Sequence, residues 1–504
     1  MSVGLGVVKG VWNDLGRLLS VLQTVPTFRR LPTDHDFVLV VFPISKVSFL
    51  SLTVAWLASL LCATAAPVRE RPPLDSGIVL PEQIFPALAQ ILQTAAQRSP
   101  QAIRASADIL IAEEMEATTR ARLLPNIGGS GTYSAAQERR LNQADFASAE
   151  KLTYNFGLTQ PLYHWGALKS GRKIGQISTQ IAEKNHAEAL RLLLLEVRQS
   201  YLRLVVEKVG LDRLRRVLAL AEEDLNVVES RIEAGTLPRG ELFSAQLRVE
   251  EAKLEMERSE EVFRFTKSSL ERLAGIPPLA DGEIPNLIPS VGVDKAGVDA
   301  LLDHFIASNG VADDFRVEAM RMQVDQEKLN YRITDTALRP KINVVSGVTQ
   351  DEVSYTGSPE DRARIQSFYA GINVSWTIFD GFSTRGLRRA SLLRTRQLEA
   401  DREARMREVV ERAKNQARQV DFAQRQSAVG EARLSQLDGL VKFQEEEVQR
   451  GNMSRRDAET VALSRDEMSI RTMIFRVEYL GRLAEFLSSV GRDPTLERIL
   501  PSRP

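Results

Sequence analysis

The chain has one cysteine, Cys62, in 504 residues, and only 6% of its side chains are aromatic. A single thiol cannot form an intrachain disulfide, so the fold must hold together without cross-links. Four histidines, His35, His164, His186 and His304, are scattered without metal-ligand spacing. Neither sign of charge is in excess, since 66 Lys and Arg face 66 Asp and Glu. A nucleic-acid surface needs surplus cations to displace counterions, which argues against that class of partner. The run from Gly166 to Lys173 approaches a phosphate-binding loop, but Arg172 stands where the lysine belongs and no Ser or Thr closes it. No metal, cofactor or enzyme site is therefore expected. Proline is absent from two long stretches, 167–234 and 383–450.

What the chain does contain begins with an export signal. Lys46 precedes an uncharged, apolar stretch from Val47 to Ala66 that ends in Ala63-Thr64-Ala65, a small-x-small cleavage pattern. It reads as a secretory signal peptide; the alternative is a transmembrane helix, since about 18 apolar residues can span a bilayer. Residues 1–45 are either a long leading region or upstream sequence, and both readings stay open. Cleavage after Ala65 removes Cys62.

Residues 156–275 recur in altered form at 372–491, with a constant offset of 216. Tyr163 aligns with Phe379, Arg172 with Arg388, Gly235 with Gly451, Glu241 with Asp457, and Gly275 with Gly491. A constant offset over that length means two copies of one unit, so any ring built from them is pseudo-symmetric. Each proline-free stretch, as one helix, would be about 100 Å long. Leu190, Leu194, Val197, Tyr201, Leu204 and Leu211 follow a 3–4 spacing, as do Ala245, Val249, Ala252, Met256, Phe263 and Leu270, a coiled-coil pattern. A helix of that length cannot bury itself in a globule; it must pack along neighbours. Ahead of each helix, glycine, serine and aromatics replace charged helix formers. Tyr154, Phe156 and Leu158 alternate with Asn155, Gly157 and Thr159, and residues 369–379 alternate likewise, as half-apolar strands. Two strands of about ten residues per copy would cross a bilayer core when tilted in a barrel.

Leu124-Pro125 and Arg339-Pro340 lead into the first strands, and Gln160-Pro161-Leu162-Tyr163 and Thr377-Ile378-Phe379-Asp380-Gly381 leave the second. Two helix-turn tips surround Gly235 and Gly451. In order, spacing and duplication these motifs resemble the TolC family of outer-membrane channel-tunnel proteins over roughly 80–492. The resemblance implies a mainly α protein with a small membrane β part: a long α-helical coiled-coil barrel joined to a shared transmembrane β-barrel, internally duplicated. It implies a homotrimer in outer membrane lipid, with the helical tube in the periplasm. The function so implied is a passive efflux or secretion outlet, working with a periplasmic adaptor (membrane fusion protein) and an inner-membrane pump and opening like an iris at the tips. The competing reading is a soluble periplasmic α-helical structural or adaptor protein.

The expected organisation is an N-terminal extension and signal peptide (1–66), a first repeat (67–276, hairpin 124–163), a connecting equatorial segment (277–312), a second repeat (313–491, hairpin 339–379) and a tail (492–504). By the resemblance, Glu241 and Asp457 form an acidic ring at the periplasmic gate, with Arg239, Arg455 and Arg456 as link partners. The alternative role for the two acids is as first-turn helix carboxylates favoured by the dipole. The tips, Gly235, Thr236, Leu237, Gly451, Asn452, Met453 and Ser454, would dock the adaptor. Tyr154, Tyr163, Trp165, Tyr369, Trp376 and Phe379 are expected at the membrane interface, where ring and polar tip are both satisfied. The family's gate tyrosine and arginine fall on Val448 and Met453 here, so the closing links must differ. Substrate is not written in the sequence.

Overall fold

The computed structural model describes residues 79–138, 146–291, 295–307, 310–355 and 363–500. The expected signal segment with Cys62, and part of the polar loop at 350–364, lie outside the described residues. Three helices lead in: α1 (Pro81–Ile84), α2 (Pro86–Arg98) and α3 (Pro100–Ala121). The α2–α3 break falls at Ser99, whose hydroxyl caps the Gln101 N–H while Pro100 opens the next helix. Strands β1 (Asn126–Glu138) and β2 (Ala147–Tyr163) follow, then α4 (Ala167–Glu233) and α5 (Gly240–Ala274). Helix α6 (Lys295–Ala307) lies in the connecting segment and α7 (Phe315–Asp335) opens the second copy. That copy continues with β3 (Lys341–Tyr355), β4 (Ala363–Ser375), α8 (Ser383–Gln449) and α9 (Arg455–Ser489), and α10 (Pro494–Ile499) closes the chain.

The duplication is visible in the backbone. Helices α4 and α8 are each 67 residues long and begin 216 residues apart. All six left-handed glycines pair at that offset or stand opposite a left-handed partner: Gly235 with Gly451, Gly275 with Gly491, Gly166 with Phe382 and Gly381 with Trp165. Both strand-to-helix turns thus need two consecutive residues at positive φ. Each copy supplies one glycine and one aromatic, in opposite order. The phosphate-loop look-alike is this turn, with Gly166 at φ +85°.

The sheet is antiparallel in the order β1-β2-β3-β4. Its strands run 13–17 residues, longer than the ten expected. The surplus carries polar residues at the loop end: Arg364 bonds both carboxylate oxygens of Glu352, and Gln366 donates to Gln350 and Tyr154.

Below the sheet the helices pack side by side, in the order α3-α4-α7-α8 near the strands and α5-α4-α9-α8 towards the tips. The apolar core gathers midway, where α1, α2, α6 and α10 pack on this layer around Leu193, Leu194, Leu202, Leu204, Leu480 and Phe486. Within it, Arg198 is 1% exposed and donates to both oxygens of Glu82 and of Asp493, tying the leading and closing segments to α4. Asp493 also caps α10 through the Thr495 and Leu496 N–H groups. Removing one member leaves an uncompensated buried charge, so Arg198→Met should destabilise by about 3–5 kcal/mol. Replacing the three charges together by apolar residues should cost less. Thermal midpoints of the single and triple variants check this.

Candidate membrane face and periplasmic mouth

The register assigns every strand residue to one of two faces. One face carries Leu152, Tyr154, Phe156 and Leu158 on β2, Ile342, Val344 and Val348 on β3, and Phe368, Ala370, Ile372 and Val374 on β4. The other carries Ser130, Thr132, Asn155, Gly157, Gly347, Thr349, Ser367 and Gly371, with Val345, Ile365 and Tyr369 among them. Ile127, Tyr133, Phe156, Phe368, Ile372 and Val374 are all exposed on the first face, Phe368 at 75%. On β4 the apolar positions from Phe368 to Val374 span about 20 Å along the strand, which at a barrel strand's tilt is about 15 Å of the roughly 25 Å lipid-facing band. Among the described residues no helix is long and apolar enough to cross a membrane.

Glycine lets aromatic rings lie flat on both faces. A Cβ at Gly129 would stand 2.5 Å from the Phe156 ring, and one at Gly347 would stand 2.5 Å from the Phe156 carbonyl oxygen and 2.7 Å from the Tyr369 hydroxyl. Tyr369 therefore projects on the small-residue face, away from the apolar band, and Tyr154 sits within the band beside Phe156 at 5.9 Å. The other four expected interface aromatics gather where strands become helices. Tyr163 meets Trp165 edge-on at 4.9 Å, and Phe379 meets Phe382 at 5.3 Å. Trp165 donates its indole N–H to the Pro340 carbonyl and Trp376 to that of Leu338. Gln160, which matches Trp376 by the offset, donates to the Leu123 carbonyl in the same way. One strut recurs with different side chains. His164, beside this cluster, bonds Asn343 at 2.8 Å.

At the far end, both tips close with the same cap. Gly235 and Gly451 take φ of +71° and +77°, the Thr236 N–H donates to the Arg231 carbonyl, and the Asn452 N–H donates to that of Glu447. Leu237 and Met453 are half-buried; Thr236, Asn452 and Ser454 are exposed, and Ser454 caps α9 through the Arg456 N–H. Glu241 and Asp457 are exposed first-turn acids, and among the described residues neither makes an ion pair within the protomer. Arg239 has no ion pair there either, and Arg455 reaches Glu459 on its own helix. Arg456 crosses instead to Asp224 on α4 at 3.0 Å. Arg216 on α4 bonds Asp466 on α9 at 2.7 Å, and Arg213 stands 3.6 Å from Glu467. These three links join the two hairpins of one protomer; Arg456 is among the expected link partners, but sequence spacing gave no sign of Asp224 or of the other two links. Arg465 lies between Asp438 and Asp466, and its hydrogen bond to Asp438 raises its pKa further. Among the described residues no group of side chains could hold a metal ion.

A model of the outer membrane efflux protein family matches residues 91–275 and 310–464. None of the curated proteins compared with this chain matches it. Among solved structures, the chain is similar to the CmeC outer membrane channel of Campylobacter jejuni, with a TM-score of 0.65 at 13% identity over 86% of this chain and 93% of that one. It is also similar to the open state of the MtrE outer membrane channel of Neisseria gonorrhoeae, with a TM-score of 0.59 at 16% identity over 81% and 90%. The outer membrane protein VceC of Vibrio cholerae gives 0.56 at 15% identity over 81% and 97%.

The glycine contacts yield a prediction. Gly347→Val forces a Cβ against a backbone carbonyl that cannot rotate away, and overpacking of this kind costs about 1–3 kcal/mol. Nothing lies within 4 Å of a Cβ at Gly371, so Gly371→Ala should be neutral. The yield of folded, heat-modifiable protein on unheated gels should fall for the first variant and not for the second.

Proposed function

The chain belongs to the outer membrane efflux protein family, and from that premise we propose how this outer membrane efflux channel assembles and opens. Three copies close one 12-stranded barrel and one helical tube, and the tube's mouth takes substrate from a periplasmic adaptor and an inner-membrane pump. The observation that carries this reading is the state of the protomer's edges. β1 and β4 each have one neighbour, so each leaves a row of backbone N–H and C=O groups unpaired. In lipid each such group costs several kcal/mol, and only a closed barrel pairs them all. Four strands are too few to close alone, and the smallest single-chain outer-membrane barrels have about eight.

The helices support the same assembly. Exposed apolar side chains concentrate on the outermost helices of the layer: Phe243, Leu247, Leu254 and Phe265 on α5, and Phe422, Val429 and Phe443 on α8. Such stripes are lateral seams, where α5 of one copy covers α8 of the next. A heterologous contact of this kind makes a ring when its rotation closes. The small, polar face of the sheet then lines the pore and the apolar face meets lipid. A soluble periplasmic protein would have no use for an apolar face of this extent.

At the mouth, Glu241 and Asp457 from three copies place six carboxylates around the aperture, a ring that favours cations. Opening separates the hairpins, so the links Arg456–Asp224, Arg216–Asp466 and Arg213–Glu467 oppose it. The exposed tips from Gly235 to Leu237 and from Gly451 to Ser454 are the surfaces an adaptor would grip. Single-channel recording in planar bilayers tests both parts. Arg216→Ala with Arg456→Ala should raise conductance or open probability severalfold, and unchanged gating would remove the links from the mechanism. Glu241→Gln with Asp457→Asn should reduce cation over anion selectivity without closing the pore, and unaltered selectivity would rule out the ring.

A further inference from the structure

Cations crowd the start of both long helices, where helix electrostatics disfavours them. The first seven residues of α4 include Lys169, Arg172 and Lys173, and those of α8 include Arg385, Arg388 and Arg389. No acid occurs in α4 before Glu183 or in α8 before Glu399. A helix N-terminus carries positive partial charge, so acids stabilise that end and bases destabilise it. Arg388 is compensated by Asp335 at 2.8 Å. The remaining five are exposed, and among the described residues none has an ion-pair or hydrogen-bond partner. In a chain of zero net charge, cations recur at equivalent positions, Lys169 with Arg385, Arg172 with Arg388 and Lys173 with Arg389, and the five without a partner point to a counter-charge outside the protein.

Their position identifies it. They begin within four residues of Trp165 and Phe382, directly below the aromatic cluster that ends the lipid-facing band, and the Arg339 guanidinium lies 5.3 Å above the Trp165 ring. Lys173 and Arg385, with Lys169 and Arg389 one turn from them, also face outward. Lys173 stands about seven helical turns from Arg198, on the side of α4 that receives Glu82 and Asp493 from the terminal segments. Arg385 stands about ten turns from Asp421, on the side of α8 that Lys295 reaches from the connecting segment. Three copies of those segments on the inner side would fill the tube, so that side is the outside.

We propose that Lys169, Arg172, Lys173, Arg385 and Arg389 form a basic collar that binds the phosphate headgroups of anionic phospholipids in the periplasmic leaflet of the outer membrane. The proposal rests on the outer-membrane reading above. The collar fixes the depth of the barrel in the bilayer and selects the lipids around its lower rim. Each cation near an anionic surface gains from it, and salt screens the gain.

The test compares the full-length protein with a variant carrying Lys169→Gln, Arg172→Gln, Lys173→Gln, Arg385→Gln and Arg389→Gln. Each is purified in mixed micelles of phosphatidylglycerol and phosphatidylcholine, and retained lipid is counted by native mass spectrometry. The unaltered protein should retain phosphatidylglycerol over phosphatidylcholine by about fivefold or more at low salt, and the variant should show little preference. A second variant with Arg172→Lys, Arg385→Lys and Arg389→Lys should keep the preference. Equal retention by the unaltered protein, an undiminished preference in the glutamine variant, or displacement of the lipid by inorganic phosphate at matched ionic strength would overturn the proposal. Insertion of both proteins into pure phosphatidylcholine bilayers separates the two readings. If both insert, a negative retention result overturns the collar alone; if neither inserts, the membrane reading fails and the collar with it.

Discussion

The whole design follows from the hydrogen-bonding demand of two strand edges placed in hydrocarbon. Water satisfies an unpaired backbone amide at the surface of a soluble sheet, but the bilayer core offers no partner. On the proposed reading, the edges of other copies satisfy β1 and β4, and that requirement propagates down the molecule. Because α4 and α8 are equal in length and leave the sheet through matching left-handed turns, closing the strands also aligns the helical seams. The apolar stripes on α5 and α8 are then buried by the same rotation that pairs the strands. On that reading assembly is a condition of folding as much as a quaternary arrangement.

Cations oppose the dipole at the start of α4 and α8, and acids oppose it at the end of α8, while Asp380 caps the start of α8 and Arg231 stands in the last turn of α4. Cations occupy the first turns of α4 and α8, while the last turns of α8 carry Glu445, Glu446 and Glu447. Each placement works against the isolated helix by a few tenths of a kcal/mol to about 1 kcal/mol per residue. In the proposed assembly they give a tube that is positive beneath the membrane and negative at its mouth, although the chain as a whole is neutral. Burial in the midway belt supplies the stability to tolerate this. The core around Arg198, with α1, α2, α6 and α10 packed on the helical layer, holds the copies' shape while the ends remain free for lipid and partners.

Much of this could be read from sequence, because the relevant signals are local or periodic. The offset of 216, the missing prolines and the 3–4 spacing fixed two equal helices; the glycines marked where they end. The period-2 alternation revealed that each strand has an apolar face. It did not assign the aromatics to faces: Tyr369 differs from Phe368 only in parity, and its packing across Gly347 and Gly157 depends on register with β3 and β2. Long-range polar contacts were also illegible. Arg198 meets partners 116 and 295 residues away, and Arg456 meets Asp224 across 232. No periodicity encodes such pairs; they exist only once the layer order α5-α4-α9-α8 sets α9 beside α4.

The claim on which the account stands is that β1 of one copy pairs with β4 of the next. The direct measurement places Thr132→Cys on β1 and Ser367→Cys on β4, both on the small-residue face, in a Cys62→Ser background, and treats intact membranes with a short bis-maleimide. Closure of three copies predicts bands of two and three chains on denaturing gels and none larger, with neither single-cysteine variant giving the three-chain band. A product that stays one chain long, or a ladder that continues beyond three, would contradict it.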